Sequence, residues 1–278
     1  QLSLAIHYIK FKRNLKKEET IFTIPESEYP YVTVQLPVFN ELYVVERLID
    51  AIAAFDYPAD KLEIQLLDDS TDESFEIARK KVDYYHQRGI DIKQIRRPER
   101  KGFKAGALEY GLREAKGEYV AIFDADFVPF PDFLKKTIPH FLLDDKIGVV
   151  QAKWDHLNKD YSILTKMQAF ALDMHFTIEQ QGRNAAGYFI NFNGTAGVWR
   201  KATIEDAGGW KADTLTEDLD LSYRAQLKGW KFKYVENVVA PAELPTDMNA
   251  LKSQQFRWNK GGAETAKKIG LRVINAEL

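Results

Sequence analysis

Two carboxylates one residue apart, Asp124 and Asp126, directly follow a short apolar run over residues 119–123. A run rich in β-branched and aromatic residues that stops at acidic residues and prolines is typical of a buried strand ending at a site. Along an extended backbone the two side chains project to the same side. They can therefore present hard oxygen ligands to a divalent cation that also holds a diphosphate. The same pair can instead cap a following helix, so other parts of the chain must decide between these interpretations.

Two further charged clusters suit the same chemistry. Asp68 and Asp69 follow a second apolar run, and carboxylates there can accept hydrogen bonds from a nucleobase or a ribose. Lys101 and Lys104 lie in a glycine-containing loop before a predicted helix, where lysines can meet base or phosphate oxygens. Loop lysines are more often simply solvated, so this cluster is not decisive by itself.

A fourth cluster, Thr216-Glu217-Asp218, precedes a predicted helix that runs to Gly229. Either carboxylate could remove a proton from an attacking hydroxyl. Acidic residues in a first helical turn are also favoured by the helix dipole alone. The structural explanations account for each cluster singly, but they account poorly for all four in one chain.

Strands and helices alternate through the first 125 residues in an arrangement that would gather these clusters. The predicted strands cover residues 31–37, 62–67, 91–95 and 119–123, each followed by a loop and a helical pattern. This alternation predicts an α/β fold with a mostly parallel, doubly wound sheet, in which ligands bind at the carboxyl ends of the strands. We expect Asn40 to cap the first helix, and Ser70 with Glu73 to form a capping box at the second.

The second half is expected to extend this sheet and share its core. The predicted elements are a helix from 131 to 143, a strand over 147–154, a helix over 162–181, a turn at 192–195, a strand over 231–235 and a helix over 248–269. On the last helix Gln254, Arg257 and Trp258 share one face, because positions three and four apart are neighbours.

Composition limits the class of protein. The 278 residues contain 39 Lys and Arg against 41 Asp and Glu, so the chain lacks the cationic excess that a nucleic-acid binder needs. It contains no cysteine, which excludes disulfides, thiolate zinc sites and thiol nucleophiles. No Gly-x-Ser-x-Gly or Walker sequence occurs, which removes hydrolase nucleophile elbows and P-loop kinases.

Residues 1–28 form a basic amphipathic segment by their pattern. An apolar start over residues 2–9 runs into Lys10, Lys12, Arg13, Lys16 and Lys17. This pattern is typical of the cytoplasmic flank of a transmembrane helix, and equally of an amphipathic helix on a protein or membrane surface. No run approaches the roughly eighteen apolar residues that would span a bilayer.

The charged motifs together resemble those of processive, inverting family 2 glycosyltransferases, the group of the cellulose and mannan synthases. Asp68-Asp-Ser70, Phe123-Asp-Ala-Asp126, Thr216-Glu-Asp218 and Gln254-Gln-Phe-Arg-Trp258 look like the D, DxD, TED and QxxRW signatures of that family, in the same order. The sequence around Lys101–Leu108, Phe192–Arg200 and Glu243–Pro245 is more similar to the cellulose-synthase-like A group, the glucomannan and mannan synthases, than to true cellulose synthases.

The resemblance implies a GT-A catalytic domain over residues 29–246 and a C-terminal amphipathic interface helix region over residues 247–278. It also implies a nucleotide-sugar donor, either GDP-mannose or UDP-glucose, a β-glycan acceptor, and Mg²⁺ or Mn²⁺ as cofactor. Flanking transmembrane helices, which this sequence lacks, would make the protein membrane-associated with its catalytic domain facing the cytosol. A non-processive family 2 enzyme with a lipid or protein acceptor, a nucleotidyltransferase and an inactive sugar-nucleotide-binding module are the alternatives.

The resemblance further implies a role for each site residue. Asp124 and Asp126 would hold the metal, and Asp218 beside Glu217 would be the general base of a single inverting displacement. Residues implied to contact the donor are Pro37, Asn40, Glu41, Asp68, Asp69, Lys104, Asp124 and Arg257. Residues implied to contact the acceptor are Asn193, Gly194, Thr195, Gln254 and Trp258. We therefore expect the carboxylates at 69, 126 and 218 to converge around one cavity.

Overall fold

Seven strands pair into one sheet in the computed structural model, which describes residues 2–15 and 24–276 of the chain. In chain order the strands of these residues are β1 (Val32–Val38), β2 (Leu62–Asp68), β3 (Ile92–Ile95), β4 (Tyr119–Ile122), β5 (Ile147–His156), β6 (Gly197–Arg200) and β7 (Lys231–Ala242). Their spatial order is β3-β2-β1-β4-β6-β5-β7. The first four strands are parallel, β6 is antiparallel to both β4 and β5, and β5 and β7 are parallel. The predicted mostly parallel α/β sheet is confirmed.

Helices cover both faces of this sheet. Within the described residues they are α1 (Leu2–Leu15), α2 (Val45–Ala53), α3 (Ser74–His86), α4 (Phe103–Glu114), α5 (Phe133–Thr137), α6 (Pro139–Leu143), α7 (Ile163–Met174), α8 (Gln181–Ala185), α9 (Lys201–Asp206), α10 (Glu217–Gln226) and α11 (Met248–Ile274). A π-helical turn, His175–Gln180, joins α7 to α8. None of the helices in the described ranges combines the length and the apolar character that crossing a membrane requires.

The alternating side chains of β4 show why both faces must be covered. Ala121 and Phe123 belong to one buried apolar cluster, and Val120 and Ile122 belong to the other. Successive residues of a strand point to opposite faces, so an all-apolar strand needs packing partners on both sides. The sheet is therefore the middle layer of a three-layer fold.

The strand directions bring the loops with polar residues to one edge of the sheet. The parallel strands all end there, and β6 begins there because its Gly197 pairs with Ile122 at the end of β4. The loop before β6 consequently meets the loop after β4. The ends of β5 and β7 reach the same edge, where Phe127 bridges to Ala242.

Two predicted helix caps are wrong. α2 begins at Val45 without a side-chain cap, and Asn40 instead adopts φ 57° and accepts a hydrogen bond from the Thr71 N–H at 2.9 Å. α3 begins at Ser74 and has no capping box; the Ser70 hydroxyl instead accepts a hydrogen bond from the Asn40 N–H at 2.9 Å. These polar side chains join the loops after β1 and β2, which lie side by side in the sheet.

Other boundaries differ from the prediction for local reasons. The predicted helix over 131–143 is divided at Pro139, which lacks an N–H, and the helix over 162–181 contains the π-helical turn. β7 continues beyond the predicted Val235 to Ala242 because it pairs with the whole length of β5.

Helix α1 packs against α8 and the π-helical turn. The Tyr8 hydroxyl donates a hydrogen bond to Glu236 at 3.2 Å, and Lys12 pairs with the same carboxylate at 3.0 Å. These contacts attach the apolar start of the chain to the end of the sheet that contains β7. Lys16 and Lys17 of the predicted basic cluster lie outside the described residues.

Candidate active site

A cavity of about 970 Å³ opens along the edge of the sheet where the parallel strands end. Most of the residues predicted from the sequence lie on its wall. They are Pro37, Glu41, Asp69, Lys104, Asp124, Asp126, Asn193, Gly194, Glu217, Asp218, Gln254, Arg257 and Trp258. The expected convergence of Asp69, Asp126 and Asp218 around one cavity is therefore present.

Three predicted contact residues, Asn40, Asp68 and Thr195, do not line this cavity. Asp68 is buried, and its carboxylate accepts hydrogen bonds from the Ser70 N–H at 2.8 Å and from Gln94 Nε2 at 2.7 Å. Asn40 is occupied with Thr71, as described above. The side chains of Asp68 and Asn40 therefore join neighbouring loops, and their predicted contacts with the donor stay predictions.

Thr195 was predicted as an acceptor contact, and its placement is also different. The side chain is buried, and its hydroxyl accepts a hydrogen bond from the Asp124 N–H at 2.9 Å. Thr195 therefore holds the backbone that follows β4, and so helps to orient the carboxylates after it.

Lys104 links the two sides of the cavity. Its ammonium contacts the Asp124 carboxylate and donates a hydrogen bond to the Gly194 carbonyl at 2.9 Å. Burial opposes the charged form of this lysine, but the nearby carboxylates of Asp124 and Glu217 outweigh burial, and the pKa of Lys104 is raised. Lys104 is therefore a cation that organises the carboxylates around it.

Carboxylates outnumber cations around the end of β4. Burial, together with the negative charge of Asp124 and Glu41, raises the pKa of Asp126 to about 7. Burial and Asp124 also raise the pKa of Glu41. A divalent cation at this position would relieve the repulsion, so the donor set fits Mg²⁺ or Mn²⁺.

In the ranges that the structure describes, no group of three His, Cys, Asp or Glu side chains is placed to hold a metal. Asp124 and Asp126 would supply only part of a coordination sphere. Mg²⁺ is commonly bound through one or two carboxylates plus substrate phosphates. The geometry thus fits a cation that completes its ligands with a diphosphate.

Asp218 lines the same cavity at the amino end of α10. Its carboxylate is close to the loop before β6, since a Cβ added to Gly194 would lie 3.2 Å from Asp218 Oδ2 and 3.5 Å from Lys104 Nζ. Burial and the negative charge of Glu217 raise the pKa of Asp218 to about 7, against the effect of Lys104. A carboxylate with this pKa can take a proton near neutral pH.

Helix α11 closes the side of the cavity that contains Asp218. It packs directly on the residue before α10, because a Cβ added to Gly261 would lie 2.5 Å from Thr216 Cγ2. Trp258 is partly exposed on the cavity wall, and its ring centroid is 6.3 Å from that of Trp154 at the end of β5. Two indoles therefore offer flat apolar surfaces on the cavity wall.

Sequence reasoning missed Arg97 and two aromatic residues of the wall, Phe39 and Trp154. Arg97 makes two hydrogen bonds to Asp69, from Nε to Oδ1 at 2.8 Å and from Nη2 to Oδ2 at 2.5 Å. Phe39 and Trp154 line the cavity from the ends of β1 and β5. These residues lie at or just after the carboxyl ends of strands, where ligands bind in such sheets. The same rule predicted that Asp69 and Asp124 belong to the site, so it could also have identified these residues.

Comparison with known proteins defines the class of this protein. Residues 30–261 match the family described as glycosyltransferase like family 2. That span is most of the chain, so the chain belongs to glycosyltransferase family 2.

The chain is also similar to named plant proteins. It is 44% identical over 252 residues to glucomannan 4-beta-mannosyltransferase 1 of Oryza sativa subsp. japonica, which covers 89% of this chain and 48% of that protein. It is 40% identical over 287 aligned positions to glucomannan 4-beta-mannosyltransferase 7 of Arabidopsis thaliana, covering 99% of this chain and 52% of that protein. The chain spans about half the length of these relatives. The resemblance to glucomannan synthases is confirmed.

Solved structures share the fold. The mannosyltransferase PcManGT of Pyrobaculum calidifontis, in complex with GDP-Man and Mn²⁺, aligns with a TM-score of 0.75 and 25% identity over 97% of this chain and 72% of that chain. Glucosyl-3-phosphoglycerate synthase of Mycobacterium tuberculosis aligns with a TM-score of 0.56 and 17% identity over 88% of this chain and 82% of that chain. The predicted GT-A fold is confirmed.

Proposed function

We propose that this chain transfers a hexose from a nucleotide sugar to the non-reducing end of a β-glycan, with inversion at the anomeric carbon. The observation that carries the proposal is that Asp218, Asp124 and Asp126 line one cavity, and that Lys104 contacts Asp124 and Gly194 beside Asp218. A single displacement needs an acceptor-side base and a leaving-group site on opposite sides of the sugar; we assign the first role to Asp218 and the second to Asp124 and Asp126.

GDP-mannose is the donor that we propose first, with UDP-glucose as the second candidate. The similar Pyrobaculum mannosyltransferase was solved with GDP-Man and Mn²⁺, and the similar plant proteins are named as glucomannan mannosyltransferases. These names support a mannosyl donor and a β-glucomannan type of acceptor for this chain.

Asp124 and Asp126 would hold the divalent cation together with the diphosphate of the donor. When bound, the metal neutralises the negative charge that builds up on the departing nucleoside diphosphate. Arg257 of α11 lines the same cavity and can pair with diphosphate oxygens. Lys104 is already placed beside Asp124, so it keeps a positive charge at the leaving-group side throughout the reaction.

Asp218 is proposed to remove the proton from the acceptor hydroxyl as that hydroxyl attacks the anomeric carbon. Its pKa near 7 leaves a substantial fraction ionised at neutral pH while keeping enough basicity to accept the proton. Glu217 lies next to it and adds negative charge that maintains this basicity. The bound acceptor ring would lie against Trp258 and Trp154, since sugar rings present apolar faces that stack on indoles.

The test of the proposal is transfer by the Asp218→Asn variant. Radiolabelled GDP-mannose or UDP-glucose is incubated with a β-mannan or glucomannan oligosaccharide and Mn²⁺, and products are separated by size. We expect Asp218→Asn to lower the transfer rate by about 10²–10⁴-fold, as for loss of a general base, while affinity for GDP changes little. Asp160→Asn is the matched control, because Asp160 is 79% exposed and lies away from the cavity.

Unchanged turnover by Asp218→Asn would remove Asp218 from the base role. Products that carry a single added hexose on a lipid or protein would favour the non-processive alternative. Release of pyrophosphate would instead favour a nucleotidyltransferase.

A further inference from the structure

Arg100, in the loop between β3 and α4, lies on the cavity wall near Asp69. Its guanidinium carbon lies 3.3 Å from the centroid of the Phe39 ring and 5.0 Å from that of Phe103. The shorter distance is that of two planar groups in stacking contact. The Arg100 side chain is 38% exposed, so a ligand in the cavity can reach its guanidinium.

The neighbouring Arg97 holds this loop in place through hydrogen bonds. It holds Asp69 through two hydrogen bonds and donates to the carbonyl oxygens of Lys101 at 2.6 Å and Phe103 at 2.8 Å. Its side chain is only 7% exposed. Arg97 therefore makes the hydrogen bonds that hold both the loop and the Asp69 carboxylate.

Arg100, in contrast, keeps its hydrogen-bonding capacity. Its Nε is 3.8 Å from Asp69 Oδ2, which is beyond hydrogen-bond distance. Within the described part of the chain, no hydrogen bond is formed by its guanidinium. A planar cation with unused N–H groups, stacked on a ring at the edge of a cavity, is suited to bind a planar ligand that has acceptor atoms.

The position of Arg100 identifies that planar ligand, given the proposed function. A donor whose diphosphate lies at Asp124 and Asp126 has its sugar toward Asp218, so its nucleoside extends the other way. Phe103 directly precedes Lys104, which contacts Asp124, and Phe39 directly follows β1. The nucleobase would therefore reach the end of the cavity formed by Phe39, Asp69, Arg100 and Phe103.

We infer that Arg100 is a nucleobase-recognition residue that favours guanine over uracil. A guanidinium lying flat on Phe39 presents its N–H groups in its own plane, where a coplanar base can accept them. Guanine offers two adjacent acceptors, O6 and N7, which match the guanidinium fork as a bidentate pair. The carbonyl oxygens of uracil flank an N–H donor, so uracil can accept only one such bond. Asp69 keeps lone pairs for a base N–H, but both bases have such a donor.

The inference is tested by measuring the affinity of the chain for GDP and for UDP in the presence of Mn²⁺, by titration calorimetry. We expect Arg100→Ala to weaken GDP binding about 10–100-fold, the loss typical of one bidentate base contact, and to change UDP binding by less than about threefold. Arg100→Lys should keep part of the preference for GDP, because a lysine ammonium can also donate to O6 and N7 but lacks the planar fork that stacks on Phe39.

Arg96→Ala is the matched control. Arg96 belongs to the same loop, and its guanidinium carbon lies 4.5 Å from the centroid of the Phe75 ring. Unlike Arg100, Arg96 does not line the cavity. Equal losses of GDP and UDP affinity in Arg100→Ala would mean that Arg100 supplies only charge, and no loss would mean no contact. Either result overturns the inference while GDP binding by the wild-type chain still supports the proposed function. A wild-type chain that binds neither nucleotide would overturn both.

Discussion

The surroundings of Asp218 disfavour the ionised form of its carboxyl group. Burial and the adjacent Glu217 raise its pKa to about 7, although Lys104 partly offsets them. Such a group costs stability when it is ionised, because the folded protein holds it in an environment that prefers the neutral acid. Retaining the carboxylate is consistent with a catalytic need for a base, since an amide of the same shape would avoid the cost.

This cost gives a prediction that does not depend on activity. The pKa of Asp218 is higher in the folded protein than in the unfolded chain. Protonation of Asp218 at low pH therefore favours the folded state, and this contribution to the free energy of unfolding is lost as the pH rises through about 7. Asp218→Asn should therefore melt at a higher temperature than the wild type at pH 8, by at least about 2 °C, with a smaller gain at pH 5. Thermal unfolding followed by circular dichroism measures both values.

The matched control is again Asp160→Asn, which should leave the melting temperature unchanged at both pH values because its carboxylate is exposed. A gain that is larger at pH 5 than at pH 8 would show that the pKa of Asp218 is not raised.

At the scale of elements, the cavity depends on close packing between α11 and the start of α10. Gly261 allows this approach, because an added Cβ would lie 2.5 Å from Thr216 Cγ2 and 2.8 Å from its backbone nitrogen. Two contacts reinforce the packing: the Leu215 N–H donates to Glu264 at 2.9 Å, and Lys268 pairs with Asp220 at 2.8 Å. The helix that contains Trp258 is thereby fixed over Asp218.

Gly261→Ala should therefore force α11 away from α10. We expect a loss of about 1–3 kcal/mol in the free energy of unfolding, the usual cost of overpacking. The rate of glycan transfer should fall, and GDP should bind more weakly because Arg257 lies on the same helix. Denaturant unfolding and the transfer assay measure the two effects.

Gly262→Ala is the adjacent control, because nothing lies within 4 Å of a Cβ at that position. Alanine is also a better helix former than glycine, so this variant should be more stable than the wild type by up to about 1 kcal/mol. Equal behaviour of the two variants would mean that α11 does not depend on close contact at Gly261.

At the scale of the whole molecule, the fold places Asp124 and Asp126 at one cavity, where a bound nucleotide would have to complete the proposed metal site. Asp124 and Asp126 follow β4, near the middle of the sheet, while the proposed nucleobase and acceptor ends lie on opposite sides. This layout predicts that metal and nucleotide bind cooperatively, since each completes the site of the other.

Thermal shift measurements can test this cooperativity. Mn²⁺ alone and GDP alone should each raise the melting temperature slightly, whereas both together should raise it by more than the sum of the separate shifts. Asp126→Asn should remove the extra shift. A wild-type chain that shows only additive shifts would contradict a shared site for metal and diphosphate.

The elements that the sequence predicted best are those with long, regular patterns. β1, β2 and β4 are rich in apolar residues and are followed by polar residues, so their existence and their shared edge could be predicted. The antiparallel β6 is four residues long, and its pairing with Ile122 depends on partners that are 75 positions away in the chain. No local pattern encodes such a contact.

The acidic residues that follow the predicted strands can be identified without coordinates, and they indicate an acidic site at one edge of a sheet. Which of those residues face the cavity depends on the folded chain. Asp68 and Asp69 are adjacent and chemically identical, yet one is buried against Ser70 and Gln94 and the other lines the cavity. The reason is that successive side chains of an extended backbone point to opposite faces, and what each face meets depends on loops that are distant in the chain.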